Sequence, residues 1–272
     1  MKIAIPVLCV LFALLAVYFV MIAPGRSRKV NRFTKVKYAH RGLHNDTRAE
    51  NSMSAFRAAV EAGYGIELDV RLSRDGKLVV FHDDTLDRVT DACGRVIDRT
   101  YDELSGIHLL GTEDTVPLFS DVLKLVDGKV PLLVEIKEDA GDSRVSEKTA
   151  EILRDYSGEY IVESFNPLSL RNIKKQLPAV TVGLLSHRYY DYEQYRRPLY
   201  FLLQTLLLNR ICSPTFIAYD HRHASCVSLR IVRRLFGCPT FAWTVRSKEE
   251  AARALENGFD TIIFEGFLPE IN

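Results

Sequence analysis

The chain has 272 residues, which suits a single large domain, and with 47% hydrophobic and 26% charged residues it can bury a substantial core. This composition excludes a globally disordered protein. A formal net charge of +1 excludes the broad basic field of nucleic-acid-binding proteins, so no nucleic-acid partner is expected.

The first predicted element is an apolar helix at the N-terminus. Residues 3–23 carry no charged side chain, and about 21 residues of helix span about 31 Å, enough to cross the hydrocarbon core of a membrane. A cleavable signal peptide has a shorter apolar region of about 7–15 residues, and residues 20–23 make a poor cleavage site. We therefore predict a retained single-pass transmembrane anchor over residues 1–24, with a cleaved signal as the alternative.

A basic segment, residues 25–35, follows the predicted anchor and is expected to be a juxtamembrane linker. Six Lys and Arg residues lie between positions 26 and 37, whereas only Lys2 and the terminal amine precede the apolar helix. Because positive charge concentrates on the cytoplasmic side of membrane helices, the sequence predicts that the domain formed by residues 36–272 lies in the cytoplasm.

Short apolar segments alternate with helix-like segments through this domain, which indicates a parallel α/β sheet. An eight-stranded barrel and an open doubly wound sheet both fit this alternation. Nine strand candidates are present, one more than the barrel needs, and we expect residues 216–219 to be the extra one. The candidates are rich in Val, Ile, Leu, Phe and Tyr, and they cover residues 36–39, 65–70, 78–81, 130–136, 160–164, 180–185, 216–219, 240–245 and 260–264.

Two regions interrupt the alternation. Residues 84–129 are too long for one connecting helix and contain a capping pattern at Thr100 and Glu103, so a small, partly helical insertion is predicted after the third strand. Residues 189–214 contain a leucine-rich stretch at 199–208 that is flanked by arginines and is too short to span a bilayer. Burial against the domain and an interfacial membrane contact are the two hypotheses for this stretch.

Four of the predicted strands end in ionisable side chains. In a barrel, the carboxyl ends of the strands meet at one face, where active sites are built. Any one of these side chains alone is better explained by a hydrogen bond or an ion pair at the rim. Together they predict an active site. They are His40, Glu67 with Asp69, His82 and Glu135.

The residue types point to metal and acid–base chemistry. Glu67 and Asp69 are two positions apart on one strand, so their side chains point to the same face. Close carboxylates repel unless a proton or cation lies between them, and Glu135 could complete an oxygen cage for a hard cation such as Ca²⁺ or Mg²⁺. His40 and His82 could supply a general acid and a general base, because the pKa of imidazole lies near neutrality.

The motifs also resemble those of a known family, the glycerophosphodiester phosphodiesterases. The order and approximate spacing are similar over roughly residues 37–265, and jointly the motifs are specific, although His-Arg-Gly alone would be weak. The segments that carry the resemblance are His40-Arg41-Gly42, Glu50-Asn51, Glu67-Leu68-Asp69, His82-Asp83, Glu135-Ile136-Lys137, Ser164-Phe165 and Trp243-Thr244-Val245.

The resemblance implies a (β/α)8 TIM barrel with a small insertion after the third strand. It implies an enzyme that hydrolyses glycerophosphodiesters to an alcohol and glycerol 3-phosphate. Glu67, Asp69 and Glu135 would bind one divalent metal ion, Ca²⁺ or Mg²⁺, and His40 and His82 would be the acid–base pair.

Substrate binding is implied by the resemblance as well. The guanidinium of Arg41 would contact the phosphate, Lys137 would add positive charge, and Trp243 would wall the pocket. The chain departs from the family's usual pattern at two positions. Ala49 replaces a proline, which changes loop stiffness, and Glu265 replaces an aspartate, which keeps the charge on a longer arm.

Two other functions stay open at this point. Lysophospholipase D-type cleavage of membrane lysolipids would use the anchor and the leucine-rich stretch, and it would require an apolar groove beside the pocket. A non-catalytic, membrane-tethered barrel is the other hypothesis, and the presence of all five ionisable rim residues argues against it.

Overall fold

The computed structural model describes residues 4–109, 111–139 and 141–271. Eight parallel strands close into a barrel, because β1 pairs with both β2 and β9. The predicted (β/α)8 architecture is therefore confirmed. The strands are β1 (Tyr38–Ala39), β2 (Gly65–Leu72), β3 (Leu78–Val80), β4 (Leu132–Ile136), β5 (Tyr160–Ser164), β6 (Val182–Ser186), β7 (Phe216–Asp220), β8 (Thr240–Val245) and β9 (Thr261–Phe264).

The ninth strand is not the expected one. β3 pairs antiparallel with β2 and lies outside the barrel. β7 lies between β6 and β8 and is a full member of the barrel. The choice of residues 216–219 as the extra strand was therefore wrong, because a short apolar segment does not reveal the direction in which it pairs.

Helices connect the strands and begin and end at recognisable signals. α2 begins at Ser52, whose hydroxyl accepts a hydrogen bond from the backbone N–H of Ala55, and it ends at Gly63 in the left-handed conformation. The helices are α1 (Ala4–Ile22), α2 (Met53–Ala62), α3 (Tyr101–Ser105), α4 (Phe119–Val126), α5 (Arg144–Leu153), α6 (Pro167–Gln176), α7 (Pro198–Gln204), α8 (Asn209–Cys212), α9 (Val227–Phe236) and α10 (Lys248–Glu256).

The region predicted as an insertion forms a small core of its own against β3. Thr100 and Glu103 make the predicted capping box at the start of α3. α4, at the end of that region, instead packs into the main core beside α2. The small core contains Val79, Phe81, Leu86, Val96, Leu104, Leu109 and Val116.

The basic segment after the N-terminal helix closes the amino end of the barrel. It forms a 3-10 helix, Arg28–Lys35, whose Val30 and Phe33 are 1% exposed. Both side chains pack in the interior layer that includes Leu133 and Phe241, while the charged side chains of the segment stay outside. The segment is thus part of the domain as well as a connection to α1.

The N-terminal helix is long and apolar, and most of it is free of the barrel. Ile5–Ile22 has a mean hydropathy of 2.9 and is 6% buried. Over the described residues of this helix, the last turns touch the barrel: the Tyr18 hydroxyl bonds to the Ser228 hydroxyl at 2.9 Å, and the Ile22 carbonyl accepts a hydrogen bond from Asn209 at 2.7 Å.

The leucine-rich stretch, residues 199–208, has both buried and exposed side chains. In and just after α7, Leu199 and Phe201 are 54% and 45% exposed, whereas Leu203 and Leu206 are buried. The stretch is therefore anchored to the core on one face and open to its surroundings on the other.

Candidate active site

Three carboxylates converge inside the carboxyl end of the barrel. Asp69 on β2 is the cross-strand neighbour of Glu135 on β4, and Glu67 points to the same side two residues before Asp69. All three side chains are buried, and one oxygen from each lies within 4.8 Å of the others. Such a set of hard oxygen donors fits a divalent cation such as Ca²⁺ or Mg²⁺.

The pKa shifts of these three carboxyl groups also indicate that the cluster requires positive charge nearby. Burial, together with the charges of Asp69 and Glu135, raises the pKa of Glu67 well above its usual value. Burial also raises the pKa of Glu135, to about 7. For Asp69, burial acts to raise the pKa, but the charges of Lys137, His82 and Arg41 prevail and lower it.

Lys137 supplies part of that positive charge. Its Nζ lies 2.7 Å from Glu135 Oε1 and 3.1 Å from Asp69 Oδ1. Burial acts to lower the pKa of Lys137, but these carboxylates raise it, so the ammonium stays charged. Arg41, whose Nε lies 3.7 Å from Asp69 Oδ2, adds a second positive charge, and two positive charges against three carboxylates leave negative charge that a metal ion would neutralise.

Arg41 is held at the mouth of the cluster by the Glu50-Asn51 motif. Glu50 Oε1 accepts a hydrogen bond from Arg41 Nη1 at 2.7 Å, and Asn51 Nδ2 donates to Asp69 Oδ2 at 2.8 Å. The backbone N–H of Arg41 donates to Glu67 Oε2 at 2.8 Å. Gly42 follows at φ 80°, where an added Cβ would lie 3.0 Å from side chains of α2. The motif thus fixes both the phosphate-binding candidate and two carboxylates.

His40 is oriented by a carboxylate from the last strand. Its Nδ1 lies 2.8 Å from Glu265 Oε2, and this hydrogen bond lowers the pKa of Glu265 to about 2. Glu265 is therefore ionised and accepts the Nδ1 proton, which leaves Nε2 for another partner. Burial lowers the pKa of His40, so the ring is neutral at pH 7.

His82 has a similar partner from its own loop. Its Nδ1 lies 2.6 Å from Asp83 Oδ1, and Asp83 is held in turn by Arg88. Burial is the main cause that lowers the pKa of His82, to about 4. Both histidines therefore present a neutral imidazole whose Nδ1 is occupied and whose Nε2 can accept a proton.

The histidines and the carboxylate cluster share one cavity of about 340 Å³. Phe165 and Trp243 pack edge to face at 5.5 Å and form one wall. Asp69 is 1% exposed and does not itself line the cavity. The other site residues predicted from the sequence line it: His40, Arg41, Glu67, His82, Glu135, Lys137 and Trp243.

Two acidic residues that the sequence reasoning had not assigned belong to this site. Glu163 on β5 is the cross-strand neighbour of Glu135, is 1% exposed and lines the cavity. Its position inside an apolar strand is the same signal that had marked Glu135. Glu265 was noted only as a departure from a family pattern, and its contact with His40 spans 225 positions of sequence.

Known proteins share both the sequence pattern and the fold. The sequence model of the Glycerophosphoryl diester phosphodiesterase family matches residues 40–266. A glycerophosphodiester phosphodiesterase of Caldanaerobacter subterraneus is 32% identical over 246 residues, which cover 83% of this chain and 91% of the relative.

Solved structures agree with this placement. A glycerophosphodiester phosphodiesterase of Thermotoga maritima has a TM-score of 0.65 at 27% identity, covering 84% of this chain and 94% of that one. An Oleispira antarctica phosphodiesterase, solved in complex with the product sn-glycerol-3-phosphate, has a TM-score of 0.72 at 21% identity, covering 86% and 94%, which shows the shared fold. The chain therefore belongs to the glycerophosphoryl diester phosphodiesterase family and is a phosphoric diester hydrolase.

Proposed function

We propose that the enzyme hydrolyses glycerophosphodiesters to an alcohol and glycerol 3-phosphate in a metal-dependent reaction. The observation that carries this proposal is that two carboxylate-oriented histidines, a buried carboxylate cluster and Arg41 face one cavity. The glycerol 3-phosphate bound to the Oleispira antarctica phosphodiesterase supports the choice of product.

The metal would be held by Glu67, Asp69 and Glu135. A bound Ca²⁺ or Mg²⁺ would supply positive charge that neutralises the phosphate and stabilises charge developing on it. Lys137, which forms ion pairs with Glu135 and Asp69 and lines the cavity, would add positive charge toward the phosphate.

The side chains of the chain would bind the phosphodiester and move its protons. The guanidinium of Arg41 binds phosphate oxygens and is kept in place by Glu50. One histidine accepts at Nε2 the proton of the attacking hydroxyl, which belongs to water or to a neighbouring hydroxyl of the substrate. The other histidine must enter this step as the imidazolium, with protons on both ring nitrogens, and it donates its Nε2 proton to the leaving alkoxide. Glu265 and Asp83 stabilise the imidazolium form that each ring passes through.

The test is direct. The purified full chain is assayed with glycerophosphocholine and glycerophosphoglycerol in the presence of Ca²⁺, Mg²⁺ or EDTA, and released glycerol 3-phosphate is measured. Turnover that requires one of the metals is expected. Turnover that is equal in EDTA contradicts metal dependence, and no turnover with either substrate contradicts the proposed substrate class.

We propose further that α1 anchors the enzyme in a membrane with the barrel on the cytoplasmic side. The support is the free, apolar helix Ile5–Ile22 and the basic residues that follow it. Membrane fractionation with alkali extraction should leave the chain in the pellet. Protease added to intact cells or spheroplasts should leave the barrel uncut, and cleavage of the barrel there contradicts this orientation.

A further inference from the structure

The contacts of α1 fix the direction in which it leaves the barrel. Tyr18 bonds to Ser228 in the first turn of α9, which follows β7 and so lies at the carboxyl end of the barrel. Seven residues later, Gly25 N–H donates to the carbonyl of Pro214, which precedes β7 at the amino end. The helix therefore runs down the flank of the barrel, and its free part before Tyr18 projects beyond the rim that carries the active site.

The length of α1 brings that rim to the membrane. Ile5–Ile22 has 18 residues and spans about 27 Å, slightly less than a hydrocarbon core of about 30 Å. The part before Tyr18 alone, residues 5–17, spans only about 20 Å. A bilayer span over Ile5–Ile22 includes the turns that touch the barrel, so the flank that they touch then lies in the membrane interface.

The carboxyl-end rim beside α1 carries exposed apolar side chains, as contact with a membrane interface requires. Leu199 and Phe201 of α7 are 54% and 45% exposed, and Val227 at the start of α9 is 66% exposed. The two elements adjoin, because the thiol of Cys226 lies 3.7 Å from the carbonyl of Gln204 at the end of α7. We call these three side chains and Tyr18, whose hydroxyl bonds to Ser228 beside Val227, the rim strip.

Charge near the rim strip favours anionic lipid headgroups. Arg196 and Arg197 immediately precede α7 and are exposed. In the described part of the chain, neither forms an ion pair. Basic side chains next to exposed apolar ones are the pattern of interfacial membrane contacts.

A series of aromatic rings connects the cavity with the rim strip. The ring of His187 lies 6.0 Å from that of Trp243 in the cavity wall and 4.0 Å from that of Tyr189. Tyr189 lies 5.2 Å from Tyr200 in α7. Tyr189 is only 5% exposed, so these rings form a packed aromatic cluster that joins the cavity wall to the helix that carries Leu199 and Phe201.

We infer that α1 and the rim strip form one docking surface for the lipid bilayer, which holds the mouth of the active site against the membrane. A glycerol phosphodiester that carries one hydrocarbon chain then reaches the cavity from the bilayer without entering bulk water. This inference rests on the proposed phosphodiesterase function for its substrate but not for its geometry.

The geometry is tested by fluorescence quenching of the full chain in phosphatidylcholine–phosphatidylglycerol vesicles that contain brominated lipid. Single tryptophans are placed by Leu199→Trp, Val227→Trp or Leu235→Trp in a Trp243→Phe background. Leu235 is the matched control, because it is 66% exposed like Val227 but lies at the opposite end of α9. Quenching of about twofold or more is expected at 199 and 227 and little at 235, since only an interfacial residue approaches the acyl chains. Equal quenching at all three positions, or none at 199 and 227, overturns the docking surface.

Substrate delivery is tested with glycerophosphocholine in solution and lysophosphatidylcholine in the same vesicles. The double variant Leu199→Ser/Phe201→Ser should lower turnover of the vesicle substrate about tenfold and leave the soluble substrate within about twofold, because apolar insertion is lost while the cavity is intact. Leu235→Ser should change neither rate. Unchanged vesicle turnover in the double variant, or a wild type that cleaves only the soluble substrate, overturns delivery. A wild type that cleaves neither substrate overturns the proposed function, and the quenching result still decides the docking surface.

Discussion

The barrel interior changes from apolar to acidic within two residues on the same strands. At the amino end, Leu133 on β4 and Ile161 on β5 are fully buried against Phe33 and Phe241. Two positions later on the same face, Glu135 and Glu163 are almost as buried but border the cavity. The two layers have the same backbone geometry and opposite chemistry.

This difference separates stability from function along the barrel axis. Burial of aromatic and aliphatic groups at the amino end stabilises the fold. Burial of carboxylates at the carboxyl end costs free energy unless a cation compensates it. The apolar layer and its 3-10 helix hold the strands together while the acidic layer keeps a charge arrangement suited to binding a metal and a phosphate.

The largest expected effect comes from removing an acidic ligand candidate. Glu135→Gln should lower kcat by at least about 10³-fold, because one of the three proposed cation ligands and one of the two carboxylates paired with Lys137 are lost. EDTA on the wild type should give a similar loss that Ca²⁺ or Mg²⁺ restores. Steady-state kinetics measures both, and full activity in either case contradicts the role of the cluster.

A substitution at the amino end of the barrel should lower stability and leave kcat nearly unchanged. Phe33→Ala should lower the free energy of unfolding by about 3–5 kcal/mol, since a buried aromatic ring leaves a cavity. Its kcat should stay within about twofold wherever the protein is folded, because Phe33 lies far down the interior from the rim. Chemical unfolding measures the first and kinetics the second. Arg32→Ala, at an exposed neighbour, is the control and should change little.

The histidines come next in size. His40→Ala and His82→Ala should each lower kcat by at least about 10²-fold, as expected for loss of a general acid or base. Glu265→Gln and Asp83→Asn should have smaller effects of about tenfold and shift the pH profile of kcat, because each carboxylate acts through its histidine. His108→Ala, on the exposed insertion, is the control. Near-normal kcat in both alanine variants would show that other groups carry the protons.

Much of the contrast between the apolar and the acidic layer of the barrel could be predicted from the sequence. Glu67, Asp69 and Glu135 stand at the ends of apolar strands, and in a barrel such ends must meet. The pairing direction of a strand leaves no such local mark, which is why β3 and β7 were confused. Long-range contacts were equally hidden, since nothing local to Glu265 indicates its bond to His40. The mixed exposure of residues 199–208 depends on how α7 packs against β6 and α9, which periodicity over so short a helix does not specify.

The acidic layer also predicts how metal affinity depends on pH. Burial raises the pKa of Glu67 and raises that of Glu135 to about 7, so without metal both groups take up protons more readily than a free carboxyl, and Glu135 is about half protonated at pH 7. Metal binding must release those protons. The Kd for Ca²⁺ or Mg²⁺ should therefore fall as pH rises through about 7, by up to about tenfold per unit for the proton of Glu135. Calorimetry in buffers of different ionisation enthalpy measures both Kd and proton release. A Kd that is constant from pH 6 to 8 contradicts the raised pKa of Glu135.

The smallest expected effect distinguishes two neighbouring carboxyl groups. Glu163 lies beside Glu135 in the same layer, but burial and the charges of Glu67 and Glu135 raise its pKa well above its usual value. No lysine or arginine lies within ion-pair distance of it in the described residues, whereas Glu135 has Lys137. Glu163 should therefore be a neutral acid at pH 7, and glutamine should replace it with little change in charge or shape.

The kinetics and stability of Glu163→Gln test whether Glu163 is neutral at pH 7. Its kcat should stay within about threefold of the wild type, and the protein should not be destabilised at pH 7, because a neutral amide occupies the place of a neutral carboxyl. Glu135→Gln, one strand away with the same change in atoms, is the matched comparison and should lose at least about 10³-fold. If Glu163→Gln also lost 10²-fold or more, Glu163 would have to be ionised in the working enzyme, and the acidic layer would contain a fourth functional carboxylate.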